Sequence, residues 1–129
     1  MAERGAGAVV NVGSVAAHSG VAEGVAYACA KAAVVHFTRC LARELRPVGV
    51  RVNCVSPGFI ATDMLSVHPE EWRRKWFSMI PAQRLCDPYE LKGVSVMKAN
   101  IVYMADNLLG IRVSCKQCFI VHDWSEFGG

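Results

Sequence analysis

Three residue types stand at offsets that suit proton transfer: a hydroxyl at Ser14, a phenol at Tyr27 and an ammonium at Lys31. Residues four apart on a helix share a face, so the side chains of Tyr27 and Lys31 can reach one cleft. A free phenol, with a pKa of ~10, is a poor acid or base at neutral pH, and a neighbouring ammonium favours its phenolate. A serine hydroxyl placed at the mouth of the same cleft could hold an alcohol or carbonyl oxygen against the phenol. Together they would make a proton-transfer device for an alcohol/carbonyl pair. Each part has a plainer reading. A Tyr-x-x-x-Lys pair alone is more often a surface pair, and a serine after a strand is usually a turn or cap residue. The joint pattern, not any one residue, carries the signal.

The elements that must position these groups follow from hydrophobic periodicity. "AGAVVNVGS" is a continuous apolar run closed by Gly13 and Ser14, which predicts a buried parallel strand. Residues 15–24 are small and glycine-dotted and read as a loop. From Val25 to about Arg46 the apolar residues recur at three- and four-residue steps, which predicts a helix stopped by Pro47 and Gly49. "VRVNCVS" predicts a second buried strand ended by Pro57-Gly58. A short amphipathic helix is expected after Pro69, with Glu70 and Glu71 at its positive end. Asp87 is a candidate N-cap before Pro88 for another helix, and "CFIVHDW" is a third strand. The order predicts consecutive βαβ units on a parallel sheet.

Bulk properties narrow the class. Hydrophobic residues make up 53% and charged residues 19% of the 129, the balance of one globular domain, not of a disordered chain. The net charge of +3 is mild, and the basic residues are scattered or paired with acids, as in "EEWRRK", so no nucleic-acid groove is expected. No apolar run approaches the ~20 residues of a membrane span. Six cysteines, mostly single within apolar stretches, read as reduced and buried thiols of a cytoplasmic protein. Cys115-x-x-Cys118 with His122 falls short of four zinc ligands, so no metal is expected. Trp72 and Trp76 read as packing residues, and His18 either as a solvated loop residue or as a substrate contact.

These stretches resemble the short-chain dehydrogenase/reductase family. "VVNVGSVAAHSG" is similar to its catalytic-serine strand, "YACAK" to its Tyr-x-x-x-Lys, and "RVNCVSPGFIATDM" to its strand ending in Pro-Gly-x-x-x-Thr. The resemblance is strong over residues 7–64. It implies an α/β fold, a doubly wound, Rossmann-like parallel sheet binding NAD or NADP. It implies Tyr27 as general acid/base, Lys31 as the residue that tunes it and holds the nicotinamide ribose, and Ser14 as the group orienting the substrate oxygen. Pro57, Gly58, Ile60 and Thr62 would contact the nicotinamide end, and Asn53 would support the loop. "WRRKWFSMIPAQRL" resembles the NADP-dependent mannitol dehydrogenases and ketose reductases, which favours NADP and a polyol or ketose substrate. The helix at 25–46 would serve a homo-oligomer interface.

The sequence also departs from the family pattern. The family's Gly-x-x-x-Gly-x-Gly turn, whose helix N-terminus holds the pyrophosphate, has no counterpart among Gly5, Gly7 and Gly13. The chain is therefore expected to be a single truncated α/β domain, 1–129, lacking the N-terminal cofactor-binding strands, with Met1 internal to a longer enzyme. Residues 97–129 are expected to be an atypical C-terminal segment. Two functional expectations follow: an NAD(P)-dependent oxidoreductase acting on an alcohol or carbonyl, or a non-catalytic remnant or dimerising partner unable to bind cofactor alone.

Overall fold

The computed structural model describes residues 1–80, 83–92, 111–113 and 119–122. Strand β1, Gly7–Val12, is followed by a 3-10 turn over Val15–Ala17 and by helix α1, Val25–Leu45. Strand β2 spans Val50–Pro57, and two helices follow, α2 at Asp63–Ser66 and α3 at Glu70–Met79. Strands β3, Ile111–Val113, and β4, Phe119–His122, join the same sheet, whose order among the described residues is β1-β2-β4-β3. The predicted β-α-β unit is present. β1 and β2 are parallel, with Gly7 opposite Val50 and Val12 opposite Val55.

Strand β2 is the centre of the fold, buried at every position except the half-buried Arg51. Helix α1 packs on it through the stripe Val35, Thr38 and Ala42. Ala42, Val50 and Val52 form the core, joined by the half-buried Val9, Leu41 and Leu45. A polar pair is enclosed in the same layer. The Asn11 amide donates to the Thr38 hydroxyl at 2.9 Å, and that hydroxyl donates to the Val34 carbonyl at 2.7 Å. Every group of a fully buried threonine is thereby used, as a buried hydroxyl requires.

The turn closing α1 shows why its two breakers are where they are. Pro47 enters a 3-10 turn over Arg46–Val48, and Gly49 leaves it at φ +72°, in the left-handed region. A Cβ at Gly49 would fall 2.1 Å from the Gly5 carbonyl oxygen, so no other residue fits. Downstream, Asp87 is the N-cap foreseen from the sequence. Its carboxylate accepts from the Tyr89 amide at 2.8 Å, and Glu90 reaches back to accept from the Asp87 amide at 2.7 Å, which makes a reciprocal capping box. The helix it opens is described only over residues 88–92.

Three expectations are corrected. β1 was expected to be buried, yet its residues are half-buried and Val12 is 55% exposed. It is the edge strand of this sheet, and only its Val9 and Asn11 face lies on α1. The third strand exists where predicted but runs antiparallel to β2, with Val55 opposite Val121. A strand that the sequence pattern did not disclose, β3, flanks it on the other side, and β4 is antiparallel to both neighbours. The cysteines are expected to be buried. Cys54 and Cys86 are, but Cys29 and Cys40 are exposed, because α1 buries only one narrow stripe. Cys115, Cys118 and most of the segment 97–129 lie outside the described residues. Among the described residues no helix is long and apolar enough to cross a membrane, and no cluster of metal-ligating side chains is present.

Candidate functional site

β1 and β2 end side by side, and of the residues singled out from the sequence Ser14 follows the carboxyl end of β1 while Pro57, Gly58, Ile60 and Thr62 end or follow β2. That is where open parallel sheets bind ligands. Ser14 lies just beyond β1 as the N-cap of the Val15–Ala17 turn. It is 7% exposed, and its hydroxyl accepts from the Ala16 amide at 3.2 Å. Gly13 allows this approach. Its amide bonds the Val55 carbonyl at 2.8 Å, and a Cβ there would meet Ser56 Oγ at 2.8 Å, Cys54 Sγ at 3.1 Å and Val35 Cγ2 at 3.2 Å.

Tyr27 and Lys31 stand in the first two turns of α1 and share a face as expected. Tyr27 is 45% exposed, and the Lys31 ammonium lies over its ring, 5.8 Å from the centroid. Lys31 also donates to the Val12 carbonyl at 3.1 Å, which ties the helix to the end of β1. The turn holding Ser14 packs on the same helix.

On the β2 side, Pro57 is the strand's last residue and is buried; Gly58 and Ile60 are half-buried. Ile60 bridges to Cys86 in parallel fashion, which fixes this loop against the 83–87 segment. Thr62 is exposed at the N-cap of α2. Its hydroxyl makes no capping bond and only a long contact of 3.5 Å to the Ile60 carbonyl. Asn53, 2% exposed, is enclosed within β2. The loop and α3 are joined by aromatic packing. Phe59 stacks on Trp76 at 5.3 Å, Trp76 meets Trp72 edge-on at 6.2 Å, and His68 touches both tryptophans. The tryptophans are thus packing residues, as predicted.

One contact was not foreseen. His18 Nε2 lies 3.2 Å from Ser56 Oγ, with Ser56 fully buried one residue before Pro57. The inward ring edge and the Arg39 guanidinium hold the His18 pKa below its ordinary value, burial being the larger cause. Beneath the same serine, burial pushes the Cys54 thiol up, partly offset by hydrogen bonding with Gly13, Ser56 and Thr38. The signal available in the sequence was a lone serine inside an apolar strand, directly ahead of a Pro-Gly corner.

A serine hydroxyl just beyond β1 and a phenol–ammonium pair on the helix tied to that strand's end are the arrangement to set beside known proteins. The family model described as enoyl-(acyl carrier protein) reductase matches residues 1–100, and the chain belongs to the short-chain dehydrogenase/reductase family. It is 44% identical over 100 residues to a 3-oxoacyl-[acyl-carrier-protein] reductase of Vibrio harveyi, a match covering 78% of this chain and 41% of that protein. The structure superposes with a TM-score of 0.70 on the 3-oxoacyl-[acyl-carrier protein] reductase of Brucella melitensis, at 34% identity over 77% of this chain and 37% of the other. It superposes equally well, at a TM-score of 0.71 and 34% identity, on a protein of Beutenbergia cavernae assigned as an NAD(P)-dependent gluconate 5-dehydrogenase and solved with bound NADP. That match covers 77% of this chain and 41% of the other. The chain therefore spans about two-fifths of the length of these relatives.

The donor set tests the fit of a nicotinamide cofactor. Lys31 has donors beyond the one given to Val12, Tyr27 is part-exposed, and the Thr62 hydroxyl makes no capping bond. These are the groups that a ribose and a carboxamide can use. The described residues fit the nicotinamide end of such a molecule.

Proposed function

We propose that this chain carries the catalytic half of an NAD(P)-dependent oxidoreductase that interconverts an alcohol and a carbonyl, with NADP as the preferred cofactor. The observation that carries the reading is the placement of Lys31, bonded to the Val12 carbonyl and lying over the Tyr27 ring. A nicotinamide held at this end of the site would supply or take up the hydride. Ser14 orients the substrate oxygen. Tyr27 gives that oxygen its proton in reduction and takes it back in oxidation. Lys31 sets its positive charge beside the phenol that gives up the proton and offers its remaining donors to the ribose. Pro57, Gly58 and Ile60 shape the nicotinamide end, and Thr62 offers its hydroxyl to the carboxamide or pyrophosphate.

The relatives favour a 3-oxoacyl thioester as substrate, since several proteins 39–45% identical to this chain are 3-oxoacyl-[acyl-carrier-protein] reductases. A polyol or ketose is the second reading, supported by the likeness to the assigned gluconate 5-dehydrogenase and by the sequence of α3. A non-catalytic role, as a partner pairing through α1, is the reading that remains if cofactor does not bind.

The test is a titration of the purified chain with NADPH, followed by nicotinamide fluorescence, then turnover with acetoacetyl-CoA and with fructose. Saturable enhancement followed by reduction of either substrate, lost in Tyr27→Phe, is the expected result. A folded chain that leaves the fluorescence unchanged overturns the enzymatic reading.

A further inference from the structure

We infer that His18 is a positioning residue: through Ser56 it clamps the turn that carries Ser14 to the corner where β2 gives way to Pro57 and Gly58. Ser14 and His18 are the two caps of one 3-10 turn. Within it the Ala16 amide bonds Ser14 Oγ at 3.2 Å, the Ala17 amide bonds the Ser14 carbonyl at 3.0 Å, and the His18 amide bonds the Val15 carbonyl at 3.0 Å. These bonds tie the turn together, so what holds His18 also bears on Ser14.

His18 is held across 38 residues of sequence by the Ser56 hydroxyl. That hydroxyl is fully buried and cannot turn away to water. The backbone just before Ser14 meets the same oxygen, since a Cβ on Gly13 would stand 2.8 Å from it. One oxygen therefore has the residue preceding Ser14 on one side and the residue closing its turn on the other. Ser56 is also the residue that precedes Pro57, so the two loops flanking the site share this anchor. Loss of this contact is expected to loosen the turn without emptying the core, because the His18 side chain is exposed.

The effect on turnover rests on the function proposed above, whereas the clamp itself does not. The experiment therefore has two arms on the full chain, with His18→Ala, His18→Gln, Ser56→Ala and the double variant His18→Ala/Ser56→Ala. In the first arm, solvent exchange of the Ala16, Ala17 and His18 amides is followed by NMR without cofactor. Exchange is expected to quicken at least about threefold in each alanine variant, with no further gain in the double variant, and to return in His18→Gln, whose amide reaches as far as Nε2. Unchanged exchange in His18→Ala, or acceleration that multiplies in the double variant, overturns the clamp. In the second arm, His18→Ala is expected to lower kcat about tenfold while the KM for NADPH holds, because a misplaced Ser14 spoils orientation and not cofactor binding. Restoration of kcat by His18→Gln supports the positioning role, and a kcat unchanged by His18→Ala overturns it. A wild-type chain without turnover refutes the proposed function, and the exchange arm then decides the clamp by itself.

Discussion

The ammonium of Lys31 donates to the main-chain carbonyl of Val12 at 3.1 Å, nineteen residues before it in the chain. One bond thus joins the helix bearing the phenol to the strand that leads into Ser14. The same ammonium lies 5.8 Å from the Tyr27 ring centre. Its position is therefore set by the backbone of β1 and not by rotamer preference alone.

Replacing Tyr27 by phenylalanine removes only the phenol oxygen from a residue that is 45% exposed. The fold is expected to survive with its thermal midpoint unchanged, while carbonyl reduction falls by about 10²–10⁴, the usual worth of a positioned acid/base group. Lys31→Met is expected to lower activity as well and to weaken NADPH binding, which Tyr27→Phe does less. Initial rates and cofactor titration on the two variants separate these roles. A Tyr27→Phe variant with full activity removes the acid/base assignment.

Gly13→Ala tests the packing beneath the site. The added methyl would meet Ser56 Oγ, Cys54 Sγ and Val35 Cγ2, all within 3.2 Å and all buried. Overpacking of this kind costs about 1–3 kcal/mol, readable as a lower urea midpoint at unchanged slope. A midpoint equal to wild type would show that the three neighbours yield freely.

His18 gives the fold a pH dependence of definite sign. Its pKa in the folded chain lies below the ordinary 6.5, so at pH below that value the unfolded chain binds the proton more readily. Above the unfolded value both states are neutral, so the neutral ring's interactions are fully present and stability no longer changes with pH on its account. Stability is therefore expected to decline as the pH falls through 6.5 toward the lower folded value, and His18→Gln is expected to flatten that part of the profile. Urea denaturation across this range in both proteins measures the difference.

Glu90 acts in a more acid window. The Arg84 guanidinium, bonded to both its oxygens, and the Asp87 amide hold its carboxyl at about 2, against an ordinary 4.5. The cap's contribution is present above the ordinary value and fades as the pH drops toward the folded one. Carboxyl NMR titration is expected to show this low midpoint, and Arg84→Met to raise it. A Glu90 midpoint in the ordinary range would mean that the capping box does not persist in solution.

Much of this protein was legible from the order of its residues. The valine run before Gly13-Ser14, the three- and four-residue repeat from Val25 and the second run ended by Pro57-Gly58 dictate a β-α-β unit, because local periodicity alone selects these elements. The offset between Tyr27 and Lys31 dictates a shared helix face in the same way. The Asp87 cap was readable for a similar reason, since its partners lie within three residues.

What remained hidden depends on segments that meet only in three dimensions. Ser56 and His18 are 38 residues apart, and nothing local to either marks the other as its partner. The exposure of β1 follows from its place at the edge of the sheet, which no strand records in its own composition. The reversed direction of β4 is a property of its pairing with β2, far from it in sequence, and β3 was hidden as well. Three residues of strand are too short for periodicity to reveal, and only the assembled sheet supplies the ladder of hydrogen bonds that defines them.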